Sequence, residues 1–176
     1  YNITIIIHNN QNFALTTGQA TLVTPKKKKM YGLPFGRSER DFNISEFIIN
    51  LKPTFYAKGY SGDLQQMSEI FKSGIKHKGC SIIEIMQLCP TYNKEFTPQW
   101  AKENIVPIEN VKKYNNTSID QARSIVTESK TYTGIIYQNK QEKDFYSSLP
   151  ARNKSLTELV DEVKEYDTKK YLKYFK

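Results

Sequence analysis

Two stretches, ITIIIHNN near the start of the chain and CSIIEIMQLCP at residues 80–90, are short and almost continuously apolar. Runs of this kind are what a parallel sheet covered on both faces asks of its strands; a strand with one wet face alternates instead. The first is therefore expected to be a buried parallel strand from Ile3 to Ile7 that ends on Asn9 and Asn10. In open α/β sheets the loops leaving the carboxyl ends of the strands form the ligand crevice. The asparagine pair is thus placed as a binding site would be.

The remaining punctuation supports an α/β order. Residues 16–36 carry Gly18, Pro25, Gly32, Pro34 and Gly36, too many breakers for an element interior, and read as one long loop. FNISEFIINL reads as a short helix capped by Asn43 or Ser45, with Phe47, Ile48 and Leu51 as its apolar contacts and Pro53 beyond it. TFYAKGYS is a second strand, and Asp63 opens a helix with Met67, Ile70, Phe71 and Ile75 on one face, ended by Gly79. A third strand, CSIIEIMQL, leads to Cys89 and Pro90. Strand, helix, strand with a connection of this size implies a parallel pair joined by a right-handed crossover. A helix from about Ser118 to Lys130 and a strand at YTGIIYQN follow. Ser155 and Glu158 are spaced as a capping box, so residues 151–176 read as a helical tail on a domain spanning 1–150.

Composition excludes several classes. With 176 residues, 38% of them hydrophobic, the chain is long enough to bury a core without disulfides and too apolar to be disordered. No apolar stretch is long enough to cross a bilayer, and there are only two cysteines, Cys80 and Cys89. A soluble, reducing, cytoplasmic setting without a membrane partner is the expectation. The net charge of +8 is spread along the chain as well as gathered at Lys26 to Lys29, and no nucleic-acid-binding module is recognisable, so no nucleic-acid partner is expected. The chain opens on a tyrosine inside an apparent strand, which reads as a fragment missing its start.

Each candidate site has a plain structural alternative. Asn10 offers a neutral oxygen that, with main-chain carbonyls such as that of Asn12, suits a magnesium ion holding a diphosphate; asparagine pairs also simply form turns. Cys89 at a strand tip suits an iron-sulfur cluster, which normally needs four ligands, or is a packed thiol. Cys80 lies on the order of 30 Å away along the strand and cannot share that cluster. His8 stands beside the asparagines; His77, between two lysines at a helix end, reads as a structural cation favoured by the dipole. Neither has a serine or cysteine partner for a triad. Lys26 to Lys29 form either a solvated loop or an attractor for an anionic substrate.

Taken in order, IIIHNNQNFALTTGQAT, KGYSGDL, IKHKGCSIIEIMQLCPTYN and TGIIYQN resemble the thiamine-diphosphate-binding beta subunit of the 2-oxoacid:ferredoxin oxidoreductases over most of residues 1–150. The resemblance implies a thiamine-diphosphate-binding α/β fold, a mostly parallel sheet with helices on both faces, truncated at the amino terminus. It implies that Asn10 and the main-chain oxygen of Asn12 ligate the magnesium gripping the cofactor diphosphate, and that Thr16 and Gln19 line the cofactor pocket. In the family a Gly-Asp-Gly segment one strand–helix unit upstream supplies the carboxylate ligand. Many members also hold an iron-sulfur cluster on cysteines of an amino-terminal segment plus the one corresponding to Cys89. Two features depart from the pattern: Thr17 stands where some relatives have lysine or glycine, and the four lysines have no counterpart. The implied reaction is oxidative decarboxylation of a 2-oxoacid with coenzyme A, giving acyl-CoA, carbon dioxide and reduced ferredoxin, with an alpha subunit as partner. The coenzyme carries the hard chemistry, so no side chain here has to act as a catalytic nucleophile. The alternative is a non-catalytic, truncated domain serving as an assembly surface.

Overall fold

The computed structural model of the chain describes residues 1–87, 89–150, 157, 161 and 169–175. They fall into two compact units, Tyr1–Asp144 and Phe145–Lys176.

The first unit is built on a five-stranded sheet. β1 (Ile3–Asn9) and β4 (Phe55–Tyr60) both run parallel to β5 (Cys80–Met86), which lies between them. β7 (Thr131–Gln138) pairs antiparallel with β4 and parallel with β6 (Ile105–Pro107), so the order is β1-β5-β4-β7-β6 and the sheet is mostly parallel. A small hairpin of β2 (Asn12–Phe13) and β3 (Gln19–Ala20) stands beyond the tip of β1.

Helices cover both faces, for reasons written in their side chains. α1 (Ile44–Asn50) is capped by Asn43, whose side chain accepts from the Glu46 N–H at 3.1 Å, and α4 (Ile119–Val126) is capped by Ser118. Ile48, Ile49, Ala122 and Ile125 of these helices pack with Ile82, Ile108 and Ile136 around the fully buried Tyr56. On the other face α2 (Leu64–Lys76) lays Met67 and Ile70 onto Phe55, Ala57, Ile83 and Ile85. It lies close because Gly74 has no side chain: a Cβ there would stand 2.8 Å from Ile83 Cδ1. This is the β4–α2–β5 crossover expected from the sequence.

Several expectations need correction. β1 is an edge strand, and Ile3, Ile5 and Ile6 are 52%, 41% and 44% exposed, not buried on both faces. Phe47, Leu51 and Ile75 are also exposed. In α1 the inward face falls on Ile48 and Ile49; in α2 it falls on Met67, Ile70 and Gly74, and Ile75 lies one residue off that stripe. α3 (Pro98–Asn104) and β6 are too short for periodicity to announce them. His77 is not a favoured cation: burial, helped by the nearby Lys140, holds its imidazole below the usual range, with Nε2 2.9 Å from Thr54 Oγ1.

In the second unit, α5 (Phe145–Ser148) and α6 (Lys169–Leu172) are helical, and Lys173–Phe175 forms a 3-10 turn. Leu88 and the expected capping box of Ser155 and Glu158 lie outside the described residues.

Candidate functional site

The parallel register aligns Asn9 of β1 with Met86 of β5, so both chains leave the sheet at the same end. The Gln87 N–H donates to the Asn9 carbonyl at 3.1 Å, extending the pairing one step past the strands. Beyond it the chain turns sharply, with Gln11 left-handed at φ 59°. Asn10 Oδ1 accepts from the Asn12 N–H at 3.2 Å, a side-chain turn typical of asparagine. That bond uses one of the two lone pairs of the amide oxygen and fixes where the other points.

Two carbonyls of this turn, those of Asn10 and Gln11, are occupied. The Asn10 carbonyl accepts from Asn12 Nδ2 at 2.9 Å and from Asn93 Nδ2 at 2.7 Å, and the Gln11 carbonyl accepts from Thr24 Oγ1 at 2.6 Å. The amide oxygens are in the opposite condition. Oδ1 of Asn9, Asn12 and Asn93 and Oε1 of Gln11 are buried with no hydrogen-bond donor among the described residues, and Asn12 and Asn93 are only 3% and 1% exposed. Each of these asparagines has its Nδ2 committed to a fixed acceptor, for Asn9 the Glu84 carboxylate at 2.9 Å, so its oxygen cannot trade places with the nitrogen. Orphaned buried oxygens are costly and call for a partner. A set made only of oxygens fits a hard cation such as magnesium, which takes its ligands from carbonyls and water.

Glu84 supports this turn from inside the sheet. Fully buried on β5, it accepts from Asn9 Nδ2, from Ser45 Oγ at 2.8 Å and from Tyr56 Oη at 2.7 Å, and Lys58 Nζ lies 3.3 Å away. Burial pushes its carboxyl up, but Lys58 and the three hydrogen bonds outweigh this and hold it below the usual range.

The other sequence candidates fall around the same end. Thr16 and Gln19 flank the tip of the β2–β3 hairpin and bond to each other, Oγ1 to Oε1, at 2.5 Å. Gly18 between them is left-handed at φ 90°, and a Cβ there would strike the Tyr92 ring at 2.5 Å. Cys89 is a half-buried free thiol whose carbonyl accepts from the Asn93 N–H at 2.8 Å. Among the described residues no cluster of three or more His, Cys, Asp or Glu is placed to hold a metal. A single thiolate does not fit an iron-sulfur cluster by itself. His8 is exposed and meets Gln87 Oε1 at 2.7 Å, away from the amide cluster's bonds.

Lys28 was legible only as one of four loop lysines, and Arg37, Asn93 and Glu84 escaped sequence reasoning. Lys28, one of the four lysines, is only 8% exposed: its Nζ stands 4.2 Å over the Phe96 ring and 3.7 Å from Glu95, and burial, partly opposed by Glu95, draws its pKa down. Arg37, also buried, donates to the Thr24 carbonyl at 2.6 Å and so orders the long loop from within. Asn93 joins the two tips. Only Glu84 left a sequence signal, a lone charge within an apolar run.

Fold and site define an α/β domain with an oxygen-rich turn at the carboxyl end of a mostly parallel sheet, and the comparisons show what it is similar to. Residues 89–154 match the family described as the C-terminal part of the pyruvate ferredoxin oxidoreductase beta subunit. The 2-oxoacid:ferredoxin oxidoreductase subunit beta of Saccharolobus solfataricus is 30% identical over 164 residues, covering 87% of this chain and 54% of that protein. Subunit beta of 2-oxoacid:ferredoxin oxidoreductase 2 of Aeropyrum pernix is 32% identical over 114 residues, 65% of this chain and 37% of that one. Among solved structures, the 2-oxoglutarate:ferredoxin oxidoreductase from Magnetococcus marinus, with 2-oxoglutarate, coenzyme A and succinyl-CoA bound, superposes with a TM-score of 0.77 at 22% identity, over 99% of this chain and 58% of that chain. The chain is thus similar over most of its length to a beta subunit of a 2-oxoacid:ferredoxin oxidoreductase, and its fold is that of the solved oxidoreductase chain. It spans about half the length of the curated relatives that it matches over most of its own length. Among the described residues no helix is long and apolar enough to cross a membrane.

Proposed function

We propose that residues 1–150 are the carboxyl-terminal part of a thiamine-diphosphate-binding domain in the beta subunit of a 2-oxoacid:ferredoxin oxidoreductase, with residues 151–176 a helical tail. The enzyme would convert a 2-oxoacid and coenzyme A to acyl-CoA and carbon dioxide, pass electrons to ferredoxin, and work with an alpha subunit in the cytoplasm. The observation that carries this reading is the Asn10 turn, with buried amide oxygens gathered around it and no donors among the described residues to satisfy them.

In this reading the free lone pair of Asn10 Oδ1 and the main-chain oxygen of Asn12 take two positions around magnesium. The Asn12 N–H bond keeps Asn10 Oδ1 from swinging away. Thr16 and Gln19 line the pocket from the hairpin, and Gly18 lets that hairpin lie against Tyr92. When bound, thiamine diphosphate supplies the carbanion chemistry that decarboxylation requires. Cys89 contributes one thiolate to an iron-sulfur cluster whose other ligands come from outside the described residues. Relatives named as oxidoreductase beta subunits, over most of this chain, support the assignment.

The test is calorimetric titration of the assembled enzyme with magnesium and thiamine diphosphate. Asn10→Ala is expected to weaken binding at least tenfold, and Cys89→Ser to lower the iron content; parent-like affinity and iron in both variants would remove these roles. A second reading, an assembly surface without chemistry, draws on the exposed Ile3, Ile5 and Ile6 of the β1 edge and requires that the parent bind no coenzyme.

A further inference from the structure

Asn93 is 1% exposed, carries no charge and lies on no regular element, yet it makes bonds in two directions. Its side-chain Nδ2 donates to the Asn10 carbonyl at 2.7 Å, and its backbone N–H donates to the Cys89 carbonyl at 2.8 Å. Its own carbonyl accepts from the Phe96 N–H at 3.0 Å, which closes the following turn onto the same residue. Two packing contacts run parallel to this link: the Tyr92 ring fills the space beside Gly18, and the Phe96 ring lies under Lys28. The segment 89–97 therefore touches the β1 turn, the hairpin and the lysine loop, and Asn93 supplies its hydrogen bond to the β1 turn. The remaining Oδ1 of Asn93 is buried without a donor among the described residues.

We propose that Asn93 is a positioning residue that couples the turn carrying Asn10 to the turn carrying Cys89. Because its side-chain amide holds one turn and its backbone N–H the other, ordering either turn lowers the cost of ordering the other, and such coupling is reciprocal. Cation and diphosphate binding at Asn10 then rigidifies residues 87–96. The inference rests on the proposal that the Asn10 turn receives magnesium and thiamine diphosphate; it does not require a cluster at Cys89.

The experiment is hydrogen-exchange mass spectrometry on the assembled enzyme, with and without magnesium thiamine diphosphate, together with calorimetric affinities, for the parent, Asn93→Ala and Asn93→Asp. The aspartate variant keeps the size of the side chain and replaces the donor toward Asn10 with an acceptor, so it serves if the alanine variant does not fold. In the parent, peptides covering 8–20 and 87–96 are both expected to gain protection. In the variants 8–20 should still respond, 87–96 should lose most of its response, and affinity should fall about tenfold. An undiminished response of 87–96 in a folded variant overturns the coupling. Absence of binding and of any response at 8–20 in the parent would instead remove the cofactor reading beneath it.

Discussion

Thr17 holds φ at 76°, a left-handed conformation that a β-branched residue adopts only under constraint. Strain of this type costs of order 1–3 kcal/mol and gathers where a loop must present groups to a ligand. Thr17→Gly is expected to relieve it, raising stability by about 1 kcal/mol after glycine's added chain entropy is subtracted, or about 2–4 °C in melting temperature; an unchanged or lower melting point would contradict the strain. Glu84 offers a second residue-level test. Its removal in Glu84→Leu strands Lys58 and three neutral donors and should cost about 3–5 kcal/mol in denaturant unfolding, with much of the loss recovered when Lys58→Met is added; equal stability of single variant and parent would mean that the network is not built as described. Since the folded-state pKa lies below the unfolded one, this stability is present above about pH 4.3 and lost as pH falls through the folded value. At this scale the turn at Asn10 was legible because an apolar run ends on it. Asn93, Thr24 and Arg37 were not, because a buried polar residue in a loop obeys no period and is identified only by what it bonds.

At the scale of elements, α2 rests on the sheet through Gly74. Gly74→Ala improves helix propensity by about 1 kcal/mol but drives a methyl against Ile83 Cδ1, and overpacking of this kind costs about 1–3 kcal/mol. The single variant is expected to be less stable than the parent. Combined with Ile83→Val, which removes that methyl, it should be at least as stable as Ile83→Val alone; additive losses in the cycle would show that the two do not meet. α1, α2, α4 and the four longer strands were readable from caps and apolar patterns. The exposure of β1 was not, since an apolar run records only that a strand belongs in a covered sheet, and neighbours decide how much of it is covered. The antiparallel entry of β7 was equally silent, because pairing direction lies in connections that run through the short α3 and β6.

For the whole molecule, β1 leaves one backbone edge unpaired among the described strands and shows Ile3, Ile5 and Ile6 to solvent. Apolar edges of this kind associate with other strands. Residues 1–176 produced alone are expected to self-associate with rising concentration, and Ile5→Lys to suppress this in light scattering; a monodisperse parent would contradict it. The mostly parallel order and the polar turn at the tip of β1 were legible in the sequence, whereas the meeting of the Asn10 and Cys89 turns depends on the β1–β5 register, which no local pattern carries. The central claim is that Asn10 and Asn12 give oxygens to a cation that grips a diphosphate. The most direct measurement is an anomalous difference map of the assembled enzyme crystallised with thiamine diphosphate and manganese in place of magnesium. The account predicts a peak within coordinating distance of Asn10 Oδ1 and the Asn12 main-chain oxygen; a bound coenzyme whose metal lies elsewhere, with Asn10 turned into packed protein, would contradict it.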